Sequence, residues 1–143
     1  LLSLRLEKGF GIWSAEFTQG YTPGMTGMDR WIDWEKENFI GQAAAIKERD
    51  GNGPAQKLVM LEIEADDADA SGYEPVWNDD SLVGFVTSGG YGHTLKKSLA
   101  MALVNNDLTQ KNQKLKVHVV GVEKDAKVIQ MSPYDPDGSV MRV

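Results

Sequence analysis

The stretch VGFVTSGGYGHTLKKSLAMALV, residues 83–104, decides how this chain folds. Two apolar runs flank a glycine-rich centre, Ser88-Gly89-Gly90-Tyr91-Gly92-His93-Thr94. A phosphate loop of the G-x-x-x-x-G-K-[ST] type leads from a strand into a helix and closes on Lys and Ser/Thr. Gly84 and Gly89 have that spacing, but Gly90 and Tyr91 follow them. The dinucleotide pattern G-x-G-x-x-G is absent, and the next run, SLAMALV, reads as another strand. The centre is therefore expected to be a strand-to-strand crossing. Gly89 and Gly90 serve backbone geometry there, through positive φ or close backbone approach.

On the N-terminal side of this stretch, KLVMLEIE places Val59, Leu61 and Ile63 on one face. PVWN and LVGFVTS follow, parted by Asp79-Asp80, a tight-turn pair. On the C-terminal side come KLKVHVVG and AKVIQM. In the first of these Leu115, Val117 and Val119 alternate with Lys114, Lys116 and His118. Six short strands with turn residues between them predict a six-stranded antiparallel barrel or jelly roll.

The strongest punctuation in the chain is RDGNGPAQK, residues 49–57, and a boundary is placed there. It separates residues 1–54 from residues 55–143. Before it, LLSLRLEKG alternates Leu2, Leu4 and Leu6 with Ser3, Arg5 and Glu7, as a half-buried strand does. FIGQAAAIKERDG reads as a short helix, favoured by three alanines and stopped by Gly51 and Pro54. Between them lies a loop with Trp13, Phe17, Tyr21, Trp31 and Trp34. So many aromatics in so short a segment call for something to pack against. The fold class is thus mainly β with a small α+β N-terminal segment, and the chain, starting without Met in mid-pattern, is expected to be a fragment of something longer.

Composition narrows the function classes. The 143 residues carry a formal net charge of −6 and no cysteine. A nucleic-acid partner needs clustered Lys and Arg, so none is expected. Disulfides, thiolate metal sites and cysteine nucleophiles are excluded. No apolar run approaches the roughly 20 residues of a membrane helix, so no membrane partner is expected. Charge is unevenly spread, with Lys57 the single base against eight acids in residues 56–80. EADDADASGYE within it is read as a solvated acidic loop, because it lacks the spacing of an EF-hand calcium loop. His93 and His118 are the only histidines. Ser88 precedes His93 without a nucleophile-elbow pattern, His118 falls on the polar face of a strand, and no metal motif is present. The residues by themselves therefore offer no catalytic constellation and no metal site.

Five blocks carry a family resemblance: SLRLEKGFGIWSAEF, FIGQAA, EPVW, the stretch at residues 83–104, and SPYDPDG. In this order they resemble the C-terminal part of the folate-dependent aminomethyltransferases, the family of the glycine cleavage T-protein. The pairing of EPVW and VTSGGYGH with a late YDP is most similar to the folate-binding half of FAD-dependent dimethylglycine and sarcosine dehydrogenases or oxidases. A T-protein, a sulfonium demethylase of the same fold and a non-catalytic β-barrel used for protein contact are the alternatives.

The resemblance implies a large parent protein. An N-terminal FAD domain oxidises an N-methyl amine, and a C-terminal module passes the released one-carbon unit to tetrahydrofolate. That module is a ring of subdomains around a channel. Residues 1–54 correspond to the end of its central subdomain and residues 55–143 to its C-terminal barrel. The family's catalytic Asp belongs to an earlier subdomain, so no residue here is expected to be catalytic. By the resemblance Trp13 sits where the family has an aromatic on the folate channel, and Tyr134, close to the C-terminal tyrosine of the T-protein, is the second folate-binding candidate. A pterin ring favours flat stacking partners, which is the physical reason to attend to aromatics. Lys96 and Lys97 match a lysine pair that could meet a glutamate tail. The partners implied are a small-molecule folate and the rest of the parent chain, in the cytoplasm or alternatively the mitochondrial matrix.

Overall fold

The computed structural model describes residues 1–142. Six strands form the framework: β1 (Gln56–Ile63), β2 (Pro75–Asn78), β3 (Ser81–Gly92), β4 (Lys97–Asn105), β5 (Lys114–Val119) and β6 (Val122–Ile129). They close into an antiparallel barrel in the order β1-β4-β3-β2-β5-β6, so no sheet edge is left open. Closure follows from side-chain period two. Val59, Leu61 and Ile63 of β1 point inward with Leu115, Val117 and Val119 of β5, where they join Ala100, Ala102 and Val104 of β4.

β4 explains why SLAMALV is apolar throughout. Its inward residues fill the barrel, while Leu99 and Met101 face outward into a second cluster with Met60 and Leu6. The cover over that cluster is α1 (Leu2–Lys8), a short helix that lies across β3 and β4. Each fully covered side chain of this size contributes about 1.5–3 kcal/mol of burial, so the outer cluster is a substantial second core.

Two expectations are corrected here. LLSLRLEKG is a helix, not a strand. Gly9 ends it in the left-handed region at φ 73°, its N–H bonding back to Leu6 O, and Phe10 N bonds to Arg5 O. The alternation of Leu2, Leu4 and Leu6 does not define a face: Leu6 is buried, whereas Leu2 and Leu4 are exposed. Nor is the glycine-rich centre a crossing between strands. Gly89 and Gly90 lie inside the long strand β3, paired with Ala100 and Leu99, and the reversal comes later, at residues 93–96. The pattern was ambiguous because a strand that receives both a helix and a loop against its backbone needs glycines as much as a turn does. A Cβ on Gly89 would fall inside the contact distance of the Ala70 carbonyl oxygen. On the outer side, a Cβ on Gly90 would lie 3.5 Å from Leu6 Cδ1, and one on Gly92 would meet Leu99 and Glu7. Gly90 and Gly92 are the seat of α1, and Gly89 makes room for the loop at Ala70.

The rest of the N-terminal segment is α2 (Pro23–Thr26), capped by the Thr22 hydroxyl accepting from Met25 N at 3.2 Å, and α3 (Gln42–Asp50). α3 is the expected alanine-rich helix. Glu48 accepts from the Thr22 hydroxyl at 2.8 Å, and the Arg49 guanidinium lies 4.4 Å from the Trp34 ring. No helix among the described residues is long and apolar enough to cross a membrane.

Candidate functional site

The chain leaves α1 through a tight corner at residues 11–17. Ile12 O accepts from Ala15 N, Glu16 N and Phe17 N, and Ile12 N donates to Glu16 Oε2 at 2.9 Å. Gly11 is required because a Cβ there would meet the Phe17 ring. The corner throws Trp13 outward, 82% exposed, in edge contact with Phe17 at 6.1 Å and 82°.

Trp13 and Phe17 form one wall of an open groove of about 810 Å³. Tyr21, Pro23 and Met28 continue the lining, and Thr18 and Thr26 supply hydroxyls. Among the described residues no charged side chain lines it. Burial pushes the Tyr21 phenol above its usual pKa, with repulsion from Tyr73 and Glu16 adding to the effect. Such a surface can stack a flat heterocycle and exclude water from its faces, but it has no carboxylate or guanidinium for the ring's polar edge. The volume lies within the roughly 300–1,000 Å³ range of small-molecule pockets.

The corner is anchored by buried charge. Glu16 is wholly buried, and its Oε2 also accepts from Arg5 Nη1 at 3.3 Å, while Oε1 accepts from Ser88 Oγ at 2.5 Å. Ser88 reaches Glu16 because β3 carries a bulge between Val86 and Ser88 that turns the hydroxyl out of the barrel. Glu7, 1% exposed and carried on α1, does a similar task. Its Oε1 accepts from Thr94 N at 2.7 Å and Leu95 N at 2.9 Å, and Oε2 from Thr94 Oγ1 at 2.9 Å. Arg5, Glu7 and Glu16 were not singled out in the sequence. Glu7 and Glu16 take donors 72 to 88 residues away, so no local pattern marks them.

Tyr134 stands elsewhere. Its N–H donates to Glu7 O at 2.9 Å, and it is not among the residues lining the Trp13 groove. The segment around it is strapped onto α1 by Lys8, whose ammonium binds both the Asp135 carbonyl and its carboxylate, the latter at 2.9 Å. That hydrogen bond from Lys8, aided against burial by Val140 N and Ser139 Oγ, lowers the Asp135 carboxyl to about 2.

The remaining candidates are dispersed. Ser88 is committed to Glu16, and His93 packs edge-on against Tyr91. His118 stacks on Trp77 at 5.4 Å. Lys97 pairs with Glu62 at 2.7 Å, and Lys127 pairs with the same carboxylate at 3.1 Å. Burial pushes the Glu62 carboxyl up, but the two lysines outweigh it and hold it below the usual range. In the acidic loop Asp67 meets Lys124 at 2.9 Å. Among the described residues no three His, Cys, Asp or Glu are grouped to hold a metal ion.

Comparison with known proteins matches the family model "Glycine cleavage T-protein C-terminal barrel domain" over residues 56–135. Mitochondrial dimethylglycine dehydrogenase of Rattus norvegicus is 35% identical over 130 residues, which is 91% of this chain and 15% of that protein. An aminomethyltransferase of Caldanaerobacter subterraneus subsp. tengcongensis is 30% identical over 92% of this chain and 35% of its own length. The crystal structure of glycine cleavage system aminomethyltransferase T from Bartonella henselae superposes with a TM-score of 0.86 at 22% identity, over 94% of this chain and 38% of that one. The chain thus spans between about a seventh and about two fifths of the proteins it matches.

Proposed function

The chain belongs to the family of the glycine cleavage T-protein C-terminal barrel domain, and on that premise we propose that it is the closing part of a tetrahydrofolate-dependent aminomethyltransferase module. In the complete protein that module takes the one-carbon unit released when dimethylglycine or sarcosine is oxidised. The greater identity to dimethylglycine dehydrogenase than to the aminomethyltransferases supports this amine-oxidising parent over a T-protein.

The observation that carries the reading is the Trp13 groove. A tryptophan 82% exposed contributes little packing, and its ring stands over an apolar floor wide enough for a bicyclic heterocycle. Trp13 and Phe17 would take the pterin face, and the Thr18 and Thr26 hydroxyls its periphery. The polar edge needs a charged partner from outside these residues, consistent with a site shared with an earlier part of the parent. The groove fits a folate in that partial sense. The glycine-rich stretch does not argue for FAD on these residues, since among the described residues β3 runs through its glycines and turns at residues 93–96 into β4, not into a helix. FAD, which would supply the amine oxidation, is assigned to the parent's N-terminal region. The proposed compartment is the cytoplasm, with the mitochondrial matrix the alternative that the mitochondrial relatives favour.

The test is calorimetric titration with a stable reduced folate. The complete protein should give a stoichiometric isotherm, and Trp13→Ala should weaken it more than it weakens amine oxidation. The 143-residue chain alone should give none at micromolar levels, because a pocket normally encloses about 70–90% of its ligand and one wall cannot. A folate affinity in the complete protein indifferent to Trp13→Ala refutes the assignment.

A further inference from the structure

Glu16 is a buried carboxylate where an apolar side chain would pack at lower desolvation cost. Its three bonds explain its presence, because each goes to a different part of the fold. Arg5 Nη1 comes from α1, Ser88 Oγ from the bulge in β3, and Ile12 N from the corner itself. Arg5 Nη1 also reaches Phe10 O at 3.3 Å, holding the chain where it enters the corner. The clamp therefore fixes the corner's position and its direction relative to the barrel. What the corner presents is Trp13, an 82% exposed ring in edge contact with Phe17. Rigid support beneath a solvent-facing ring has the form of preorganisation, in which ordering costs are met by folding and not by the ligand.

We propose that Glu16, held by Arg5 and Ser88, is the positioning residue of the ligand face. It fixes the Trp13–Phe17 corner for stacking against the flat, uncharged part of a heterocycle. The inference rests on the folate reading of the groove, and its test separates the two.

The 143-residue chain, which has its own closed core, is labelled with 5-fluorotryptophan, and the Trp13 resonance is identified with Trp13→Phe. Ser88→Ala is the milder variant, leaving Arg5 and Ile12 on the carboxylate. Glu16→Ala is the stronger one, because it removes both acceptor oxygens and releases Arg5, Ile12 N and Ser88 together. In folded variants the Trp13 fluorine line should shift or broaden while those of Trp31, Trp34 and Trp77 hold. In the complete protein the folate dissociation constant should rise about three- to tenfold for Ser88→Ala, with KM for folate raised and kcat little changed. Folded variants with an unmoved Trp13 line, or a moved line with unchanged folate affinity, overturn the clamp. If Trp13→Ala itself leaves folate affinity intact, the folate reading fails instead, and the fluorine line still decides whether Glu16 sets the corner.

Discussion

Glu7 offers the sharpest test of how α1 is tied to the barrel. Its carboxylate is buried and caps the β3–β4 turn with three hydrogen bonds between 2.7 and 2.9 Å. Hydrogen bonds to a charged group are each worth about 1.5–3 kcal/mol, which would sum to well over 4 kcal/mol for three. The sum overshoots, because Thr94 is exposed and its amide and hydroxyl can return to water. The amide of the half-buried Leu95 cannot do so fully. We therefore expect Glu7→Ala to cost about 3 kcal/mol. At roughly 2–4 °C per kcal/mol for a chain near this size, the melting temperature falls by about 6–12 °C. Glu7→Gln retains the oxygen that serves the two amides and loses only the charge and the second acceptor. The Thr94 hydroxyl can rotate to accept from the new amide, so the cost is about 1 kcal/mol. Urea unfolding gives the two free energies, and hydrogen exchange at Thr94 and Leu95 reports the turn. A Glu7→Ala variant within 1 kcal/mol of the parent, or a Gln variant as damaged as the Ala one, would refute the reasoning.

Gly89→Ala must displace the Ala70 carbonyl and should cost about 1–3 kcal/mol, with chemical-shift changes centred on the loop before β2. Gly90→Ala has room beside Leu6 but must hold φ 157°, so a cost of about 1–3 kcal/mol should come with shifts in α1 instead; a harmless change at either position counts against these roles. For Asp135 the folded pKa is depressed, so its stabilisation is complete above its ordinary value of 3.8 and is lost as pH falls toward about 2. Melting temperatures of the parent and Asp135→Asn should accordingly converge across that window, and a gap that persists at the acid end would contradict the Lys8 pairing as its source.

The barrel was legible because its signal is local. In β1 and β5 each inward residue is two positions from the next, so Val59-Leu61-Ile63 and Leu115-Val117-Val119 declare their faces without reference to anything else. The Asp79-Asp80 turn and the alanine-rich α3 carry equally local chemistry. Trp13, too, could be named from the block in which it sits, although only the corner at residues 11–17 shows that its ring stands free.

What the tertiary structure alone decided begins with α1. Seven residues hold too few turns to display a helical period, and the leucines at positions 2, 4 and 6 imitate a strand. The helix exists because β4 has an apolar outer face for Leu6 to cover and β3 has glycines on which it can rest. Arg5, Glu7 and Glu16 look like solvent-facing charges in the linear chain. Glu7 and Glu16 are buried because Ser88, Thr94 and Leu95, more than 70 residues away, supply donors to them, and Arg5 is buried because Glu16 accepts from it. A side chain's polarity is written in the sequence, but whether it can afford burial depends on partners that only the closed fold brings within 3 Å.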